Sequence, residues 1–162
     1  MKLIYVWLEN YNDRIVNQEF LFSPEFMIHY DNDWNELHIF RNKDYIKGFY
    51  GENVLDVAAI VGENGAGKTT VARCLYDICE GITLIDDEGD GNKCAKIVIY
   101  LKEGCCGQKE KLLICYFLKR ISEKKVHSDV DYKLINLYSM TKKDVNCKPR
   151  FPFKRESPVQ TE

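Results

Sequence analysis

Nine consecutive residues near the middle of the chain have the types and spacing needed to hold a phosphate group. Residues 62–70 read GENGAGKTT, and the first eight match the pattern G-x-x-x-x-G-K-[ST] at each fixed position. Phosphate oxygens are met by several backbone N–H groups at once, which requires a tightly curled loop with little side-chain bulk. Gly62, Gly65 and Gly67 permit such a path. The pattern therefore predicts a loop that binds the phosphates of a nucleotide.

The residues that close this motif supply positive charge and a metal ligand. A helix that begins near Lys68 directs the partial positive charge of its N-terminus at the phosphates. We expect Lys68 to contact the β- and γ-phosphates, Thr69 to bind Mg²⁺ through its hydroxyl, and Thr70 to help hold the α-phosphate. The predicted ligands are ATP and Mg²⁺, and the predicted nucleotide-binding residues are Gly62, Asn64, Gly65, Ala66, Gly67, Lys68, Thr69 and Thr70.

A loop of this kind must lie between a strand and a helix. Residues 57–61, with the sequence VAAIV, predict a strand buried on both faces of a sheet. A helix is predicted over residues 68–80, and Gly81 stands where a helix stop is expected. The apolar stripe of this helix consists of Val71, Leu75 and Ile78. The order strand, loop and helix is the one that the motif requires.

The rest of the chain favours β structure. Residues 2–8 predict a first strand, and residues 19–22 and 26–30, on either side of Pro24, predict a second strand pair. Residues 37–40 follow in a hairpin-like arrangement. Two further runs, residues 94–101 and 112–118, predict an antiparallel pair joined by a Gly- and charge-rich loop.

Length and composition exclude several classes of protein. The 162 residues suit one domain, and 45% hydrophobic content supplies a core, so wholesale disorder is excluded. The net charge is −2, so no global basic field indicates a nucleic-acid or membrane surface. The first apolar run is too short for a membrane span, and seven cysteines without an export signal favour reduced thiols, so we expect a cytoplasmic protein.

The phosphate loop and its flanks resemble a known family. Residues 62–70, with residues 57–61 before them, look like the phosphate loop of ATP-binding-cassette ATPases of the SMC and RecF type, often labelled AAA-family ATPases. The first strand, the following Glu9, Asn10 and Tyr11, and then residues 15–22 resemble the opening of that family's head domain. The resemblance implies an α/β fold, the N-terminal lobe of an ATPase head with an antiparallel β subsheet, and roles in DNA repair or phage defence.

The resemblance sets the expected boundaries of the domain. It covers residues 1–138, which we expect to form the ATP-binding domain. Residues 139–162 hold three of the four prolines, with basic residues between them, and predict a flexible basic tail.

The family also has parts that this sequence does not supply. Its members clamp nucleotide between two heads and carry a signature motif, an acidic strand with the catalytic Glu, and a switch His. Residues 82–88, ITLIDDE, have the look of that acidic strand but follow the phosphate loop too closely. A solvated acidic turn is therefore favoured over a metal or catalytic role for Asp86, Asp87 and Glu88.

No catalytic residue is assigned, because hydrolysis needs a group that positions the attacking water. We expect nucleotide binding with little or no hydrolysis by the chain alone, and a second ATPase lobe or a homologous head as partner. Arg14 follows the first strand, where the family often has a basic residue near the nucleotide, although an exposed turn is the commoner place for an Arg.

Two other functions stay open. One is a small phosphate-loop kinase that transfers phosphate to a metabolite. It is disfavoured because such kinases usually have the loop close to the N-terminus, whereas here it starts at Gly62. They also carry an Arg-rich lid, for which Lys119 and Arg120 are poor candidates. A nucleotide-sensing subunit that acts by binding a partner is the third possibility. Basic pairs such as Lys124 and Lys125 and the basic tail allow DNA contact, but residues 141–162 hold six basic against three acidic groups, a modest excess.

The cysteines and histidines do not show metal-ligand spacing. Cys105 and Cys106 are adjacent rather than spaced for chelation, and the helical Cys74 and Cys79 are interpreted as small apolar fillers. The three histidines, His29, His38 and His127, are assigned structural or surface roles.

Overall fold

A computed structural model describes residues 2–51, 54, 57–80, 95–102, 109–117 and 121–136. These residues form eight strands, one α-helix and one 3₁₀ turn. In chain order the elements are β1 (Lys2–Tyr11), β2 (Ile15–Leu21), β3 (Phe26–Asp31), β4 (Glu36–Arg41), α1 (Lys68–Glu80), β5 (Lys96–Lys102), β6 (Lys111–Phe117), the 3₁₀ turn Glu123–Lys125, β7 (Val126–Ser128) and β8 (Tyr132–Asn136).

Five of the strands form the first sheet, in the order β2-β1-β5-β6-β8. Its neighbours are antiparallel except for β6 and β8, which run parallel. Strands β1 and β5 are almost continuously apolar and lie inside the sheet, as expected for strands that are covered on both faces. The register between them shifts at Leu3 and Tyr5, which marks a β-bulge.

The other three strands form the second sheet, in the order β3-β4-β7. Strands β3 and β4 make an antiparallel hairpin, and β7 adds to β4 in parallel. The hairpin turn is fixed by Asp31, whose Oδ1 accepts hydrogen bonds from the backbone N–H groups of Asp33 and Trp34, both at 3.0 Å. Asn35 then takes a positive φ of 53°, a conformation that Asn tolerates better than most residues.

Three layers stack in the order second sheet, first sheet, helix. Along β1 the side chains alternate, so Tyr5 and Trp7 pack towards the second sheet while Val6 and Leu8 pack towards the helix. The ring of Trp7 meets that of Tyr30 edge to face at a centroid distance of 4.7 Å. Apolar burial on both faces of the first sheet is therefore the main stabilising feature of the fold.

Several predicted elements are confirmed. The first strand, the hairpin of β3 and β4 and the antiparallel pair of β5 and β6 are present, and the helix has the predicted bounds, Lys68–Glu80. Its apolar stripe faces the first sheet, with Ile78 and Cys74 buried and Val71 and Leu75 half-buried.

The predicted partner of β2 is wrong. Residues 19–22 were expected to pair with residues 26–30, but β2 pairs with β1 in the first sheet and β3 pairs with β4 in the second. The chain changes sheets around Pro24. Phe22 N–H still donates to Ile4 O in the first sheet, at 2.8 Å, whereas Asn42 N–H donates to Glu25 O beside the second sheet, at 2.9 Å.

The predicted strand before the phosphate loop is also wrong. Residues 57–61 belong to no strand and are exposed, with Val57 at 55%, Ile60 at 44% and Val61 at 88% of full accessibility. A strand needs neighbours that take its backbone hydrogen bonds, and none of the strands in the described part of the chain pairs with these residues.

The described residues thus make a small domain of mixed sheets with a single helix, mostly strands. Membership of the α/β phosphate-loop ATPase class stays a prediction. The expected tail, residues 139–162, lies outside the described residues. Within the part of the chain that is described, no helix has both the length and the apolar character required to cross a membrane.

Candidate functional site

The phosphate loop, residues 62–69, leads directly into the N-terminus of α1. The helix begins at Lys68, and Val71 N–H donates to Gly67 O at 3.0 Å. The N–H groups of the three residues before Val71 therefore have no acceptor within the helix, as at every helix N-terminus. Together with the helix dipole, these donors make the end of α1 a place where an anion is stabilised.

The glycines of the loop adopt conformations that other residues avoid. Gly65 has a φ of 85° and Gly67 a φ of 87°, both in the left-handed region. Gly62 avoids a close contact, because a Cβ there would lie 3.3 Å from the Cβ of Ala66. The three glycines therefore allow the backbone to curl back on itself over a short distance.

The side chain of Lys68 closes the loop. Its Nζ donates to Gly62 O at 2.7 Å and to Glu63 O at 2.6 Å. The backbone N–H of Ala66 also donates to Glu63 O, at 3.2 Å. An ammonium group has three N–H donors, so these two carbonyls leave one for a further acceptor. The charge of Lys68 is thus held over the loop rather than extended into solvent.

The predicted site residues are accessible. Residues 62–66 and Thr69 are exposed, whereas Gly67, Lys68 and Thr70 are half-buried. An exposed Thr69 hydroxyl at the start of the helix can reach a metal ion that is bound to phosphate. The structure brings the eight predicted residues together, as their sequence adjacency requires.

The other candidates named from the sequence are Arg14, an acidic run and a basic pair. Arg14 lies in the exposed turn between β1 and β2, which is the commoner role for an Arg in that place. Asp86, Asp87 and Glu88 fall outside the described residues, as do Lys119 and Arg120.

Helix α1 is attached to the first sheet by a hydrogen bond as well as by its apolar stripe. The Tyr11 hydroxyl donates to Asp77 Oδ2 at 2.7 Å, which joins the end of β1 to the C-terminal half of the helix. Burial and the neighbouring Asp77 carboxylate raise the pKa of Tyr11, so the phenol stays protonated as a donor. Because Val71 and Cys74 also pack on the first sheet, both halves of the helix are held, and the loop lies at its N-terminal end.

A separate cavity of about 220 Å³ lies after β4. Its lining includes Tyr45, Phe49, Tyr50 and Val54, and the rings of Phe49 and Tyr50 meet edge to face at 5.1 Å. No residue of the phosphate loop lines it. This cavity is therefore not a continuation of the predicted nucleotide site.

Two of the cysteines lie inside the core. Cys74 and Cys115 are buried in the core and not joined in disulfides, as the filler interpretation of Cys74 predicted. Burial raises the pKa of Cys115 to about 12, so its thiolate is scarce at neutral pH. Cys94, Cys105 and Cys106 lie outside the described residues.

A second group of polar residues was missed from the sequence. Glu36 and His38 on β4 and His127 on β7 come together on the second sheet, and we call them the histidine cluster. The spacing of two between Glu36 and His38 places both on one face of a strand, which was available as a signal. His127 lies far along the chain, and only the pairing of β4 with β7 brings it to His38.

Comparisons of the chain with protein-family models, with curated proteins and with solved structures found no match.

Proposed function

We propose that this chain is the ATP-binding lobe of an ATPase of the SMC and RecF type, and that the phosphate loop with Thr70 binds Mg-ATP. The observation that carries the proposal is the conformation of the loop: two glycines in the left-handed region, a lysine held over the loop carbonyls, and a helix that starts at that lysine. A glycine-rich turn that only reverses the chain needs none of these features together.

The binding mode follows from the donors at the loop. Backbone N–H groups at the start of α1 and in the loop contact the phosphate oxygens, and Lys68 leaves the carbonyls of Gly62 and Glu63 for the more strongly charged β- and γ-phosphates. Thr69 contributes its hydroxyl to Mg²⁺, and Thr70 contacts the α-phosphate.

Hydrolysis requires a second lobe or a homologous head. The exposed residues 57–61 support this part of the proposal, since an apolar segment directly before the loop is the place where a partner's strand can add. A nucleotide-sensing subunit has the same need for a partner and is the second candidate, favoured by the same exposed segment.

DNA contact is a weaker part of the proposal. Of the basic pair Lys124 and Lys125, the latter donates to Glu36 Oε1 at 2.8 Å, so half of that charge is already paired within the protein. A cytoplasmic location is proposed as well, because the buried Cys115 is not in a disulfide, which suits a reducing compartment.

Calorimetric titration with Mg-ATP tests the proposal. We expect binding near ~1 μM and a loss of affinity of about 10- to 100-fold in Lys68→Ala, the range that charged hydrogen bonds supply. Lys43→Ala removes an exposed lysine outside the loop and is the matched control. If the intact, folded chain binds no nucleotide, or if both variants lose affinity equally, the proposal is wrong.

Phosphate release in the same samples distinguishes the alternatives. We expect turnover well below roughly 1 s⁻¹, a common enzyme rate, because the catalytic set is incomplete. A phosphate-loop kinase would instead form ADP only when a nucleoside or another acceptor is added. Steady turnover without any partner would contradict the incomplete-head interpretation.

A further inference from the structure

The outer face of the second sheet carries polar residues whose positions are set by strand register. On β4, Leu37 and Ile39 are fully buried in the core between the sheets. Glu36 and His38 alternate with them and therefore point to the opposite, outer face. The parallel register of β4 with β7 pairs His38 with His127, so the two histidines are direct neighbours.

The two imidazole rings and the Glu36 carboxylate converge. The rings of His38 and His127 are stacked, with centroids 4.8 Å apart and planes 16° from parallel. Glu36 Oε2 lies 3.9 Å from His38 Nε2 and 3.7 Å from His127 Nε2. One ligand atom from each of the three residues lies within 4.8 Å of the others.

A lysine holds the carboxylate in this orientation. Lys125 Nζ donates to Glu36 Oε1 at 2.8 Å, which leaves Oε2 facing the two histidines. The same lysine holds the pKa of Glu36 below its ordinary value. A hydrogen bond to the outer oxygen of a ligating carboxylate is a common way in which proteins orient a metal ligand.

The distances are close to those of a zinc site. Zinc binds histidine nitrogen and carboxylate oxygen at about 2.0–2.2 Å, so neighbouring ligand atoms of a tetrahedral site lie about 3.3–3.5 Å apart. The separations from Glu36 Oε2, 3.9 and 3.7 Å, exceed this by only a few tenths of an ångström. The ligand atoms of the two histidines lie within 4.8 Å of each other, and the stacked rings must turn before their nitrogen lone pairs meet at one ion. His38 and His127 are 38% and 47% exposed, so rotation of their rings meets little resistance from packing.

His29, the third histidine of the chain, lies next to His38 but contacts Glu19 instead of Glu36. His29 pairs with His38 in the register of β3 and β4, yet its Nδ1 lies 3.1 Å from Glu19 Oε1 on the strand β2. It is 64% exposed and is not one of the three converging residues. This gives a matched control within the same row of residues.

We propose that Glu36, His38 and His127 form a site for a divalent transition metal of the zinc class. Two imidazoles and a carboxylate are a donor set that zinc accepts, and three protein ligands leave the fourth position for water or another ligand. The site is separate from the phosphate loop and uses none of its residues. Without a metal, the same residues would be only an ion-paired cluster with Lys125, which is the outcome the test must distinguish.

Competition of Zn²⁺ between a fluorescent chelator and the untagged full chain measures the affinity. We expect binding near ~1 μM, and a loss of at least ~10-fold in His38→Ala, His127→Ala and Glu36→Gln. Glu36→Gln keeps the size of the side chain and an acceptor for Lys125. A loss of Zn²⁺ affinity in this variant would therefore follow from the missing negative charge. His29→Ala should retain the affinity of the parent chain, and so should Lys68→Ala.

Cobalt substitution identifies the ligand atoms. We expect visible d–d bands of a low-coordinate Co²⁺ site, absent from His38→Ala and unchanged in His29→Ala. The proposal is overturned if the folded parent chain binds neither metal, if the three variants that remove a proposed ligand bind as the parent does, or if a thiolate charge-transfer band shows that cysteines hold the ion. Circular dichroism of each variant establishes that it is folded.

Discussion

The phosphate loop and the histidine cluster are both accessible groups of polar residues, but they are built in opposite ways. The loop takes its shape from its own glycines and from Lys68, all within a few consecutive residues. The histidine cluster joins β4 to β7 and exists only because those two strands pair. The first depends on local backbone conformation and the second on tertiary structure.

The two regions also differ in the burial of the apolar residues next to them. Under the histidine cluster, Leu37 and Ile39 are fully buried between the sheets. Before the loop, Val57, Ile60 and Val61 are exposed. We therefore expect substitutions under the histidine cluster to change both protein stability and the geometry of the cluster. Substitutions in the exposed segment before the loop should leave protein stability largely unchanged.

The largest expected effect is at the base of the histidine cluster. Leu37→Ala should lower the free energy of unfolding by about 2–5 kcal/mol, because it removes a fully buried side chain and leaves a cavity. Val61→Ala changes a side chain that is 88% exposed and should stay within about 0.5 kcal/mol of the parent. Urea unfolding followed by circular dichroism measures both.

Equal destabilisation by the two variants would contradict this contrast and would place Val61 in a buried environment. A normal stability of Leu37→Ala would be inconsistent with the packing of the second sheet on the first. Both proteins should be compared at the same pH and salt, so that only the deleted side chain differs.

A smaller effect is expected at two glycines with similar backbone conformations. Gly67 and Gly48 have φ angles of 87° and 75°, and neither has a neighbouring atom within 4 Å of an added Cβ. Alanine at either position should cost up to about 1–2 kcal/mol from the left-handed conformation alone. Only Gly67→Ala should weaken Mg-ATP binding, by about tenfold or more, because the loop path then changes.

Urea unfolding and calorimetry on the same preparations separate the two effects. If Gly48→Ala weakens nucleotide binding as much as Gly67→Ala does, the loss reports general destabilisation and not the shape of the phosphate loop.

Local features of this fold were predictable, and long-range pairing was not. The helix was placed correctly because its apolar stripe has helical spacing, and the β3–β4 hairpin because residues 31–33 carry turn-forming side chains. The prediction paired β2 with β3, but β2 pairs with β1. The sequence of a strand does not by itself determine which other strand it pairs with. Residues 57–61 were predicted to be buried from their composition alone, but burial also requires neighbouring strands.

The same limit applies to the sites. The phosphate loop is a contiguous motif, so its eight residues could be predicted to bind phosphate without a structure, and that role stays a prediction. His38 and His127 show no ligand spacing along the chain, so the sequence predicts only structural or surface roles for them. Their proximity depends on the parallel pairing of β7 with β4, which follows a long stretch of intervening sequence.

The smallest expected effect tests how independent the loop is from the layer beneath its helix. Tyr11→Phe removes the hydroxyl that donates to Asp77 at 2.7 Å, and should lower the free energy of unfolding by about 1 kcal/mol, the usual contribution of such a bond. Tyr76→Phe is the matched control, since Tyr76 is adjacent on the helix and 59% exposed.

Because Asp77 lies nine residues beyond Lys68, about 13 Å along the helix axis, the lost bond frees the half of α1 that is far from the loop. Affinity for Mg-ATP should therefore change by less than about threefold, or about 0.7 kcal/mol, in Tyr11→Phe. A tenfold loss in that variant, with Tyr76→Phe unchanged, would mean that the geometry of the phosphate loop is set by the docking of the whole helix rather than by its own glycines and lysine.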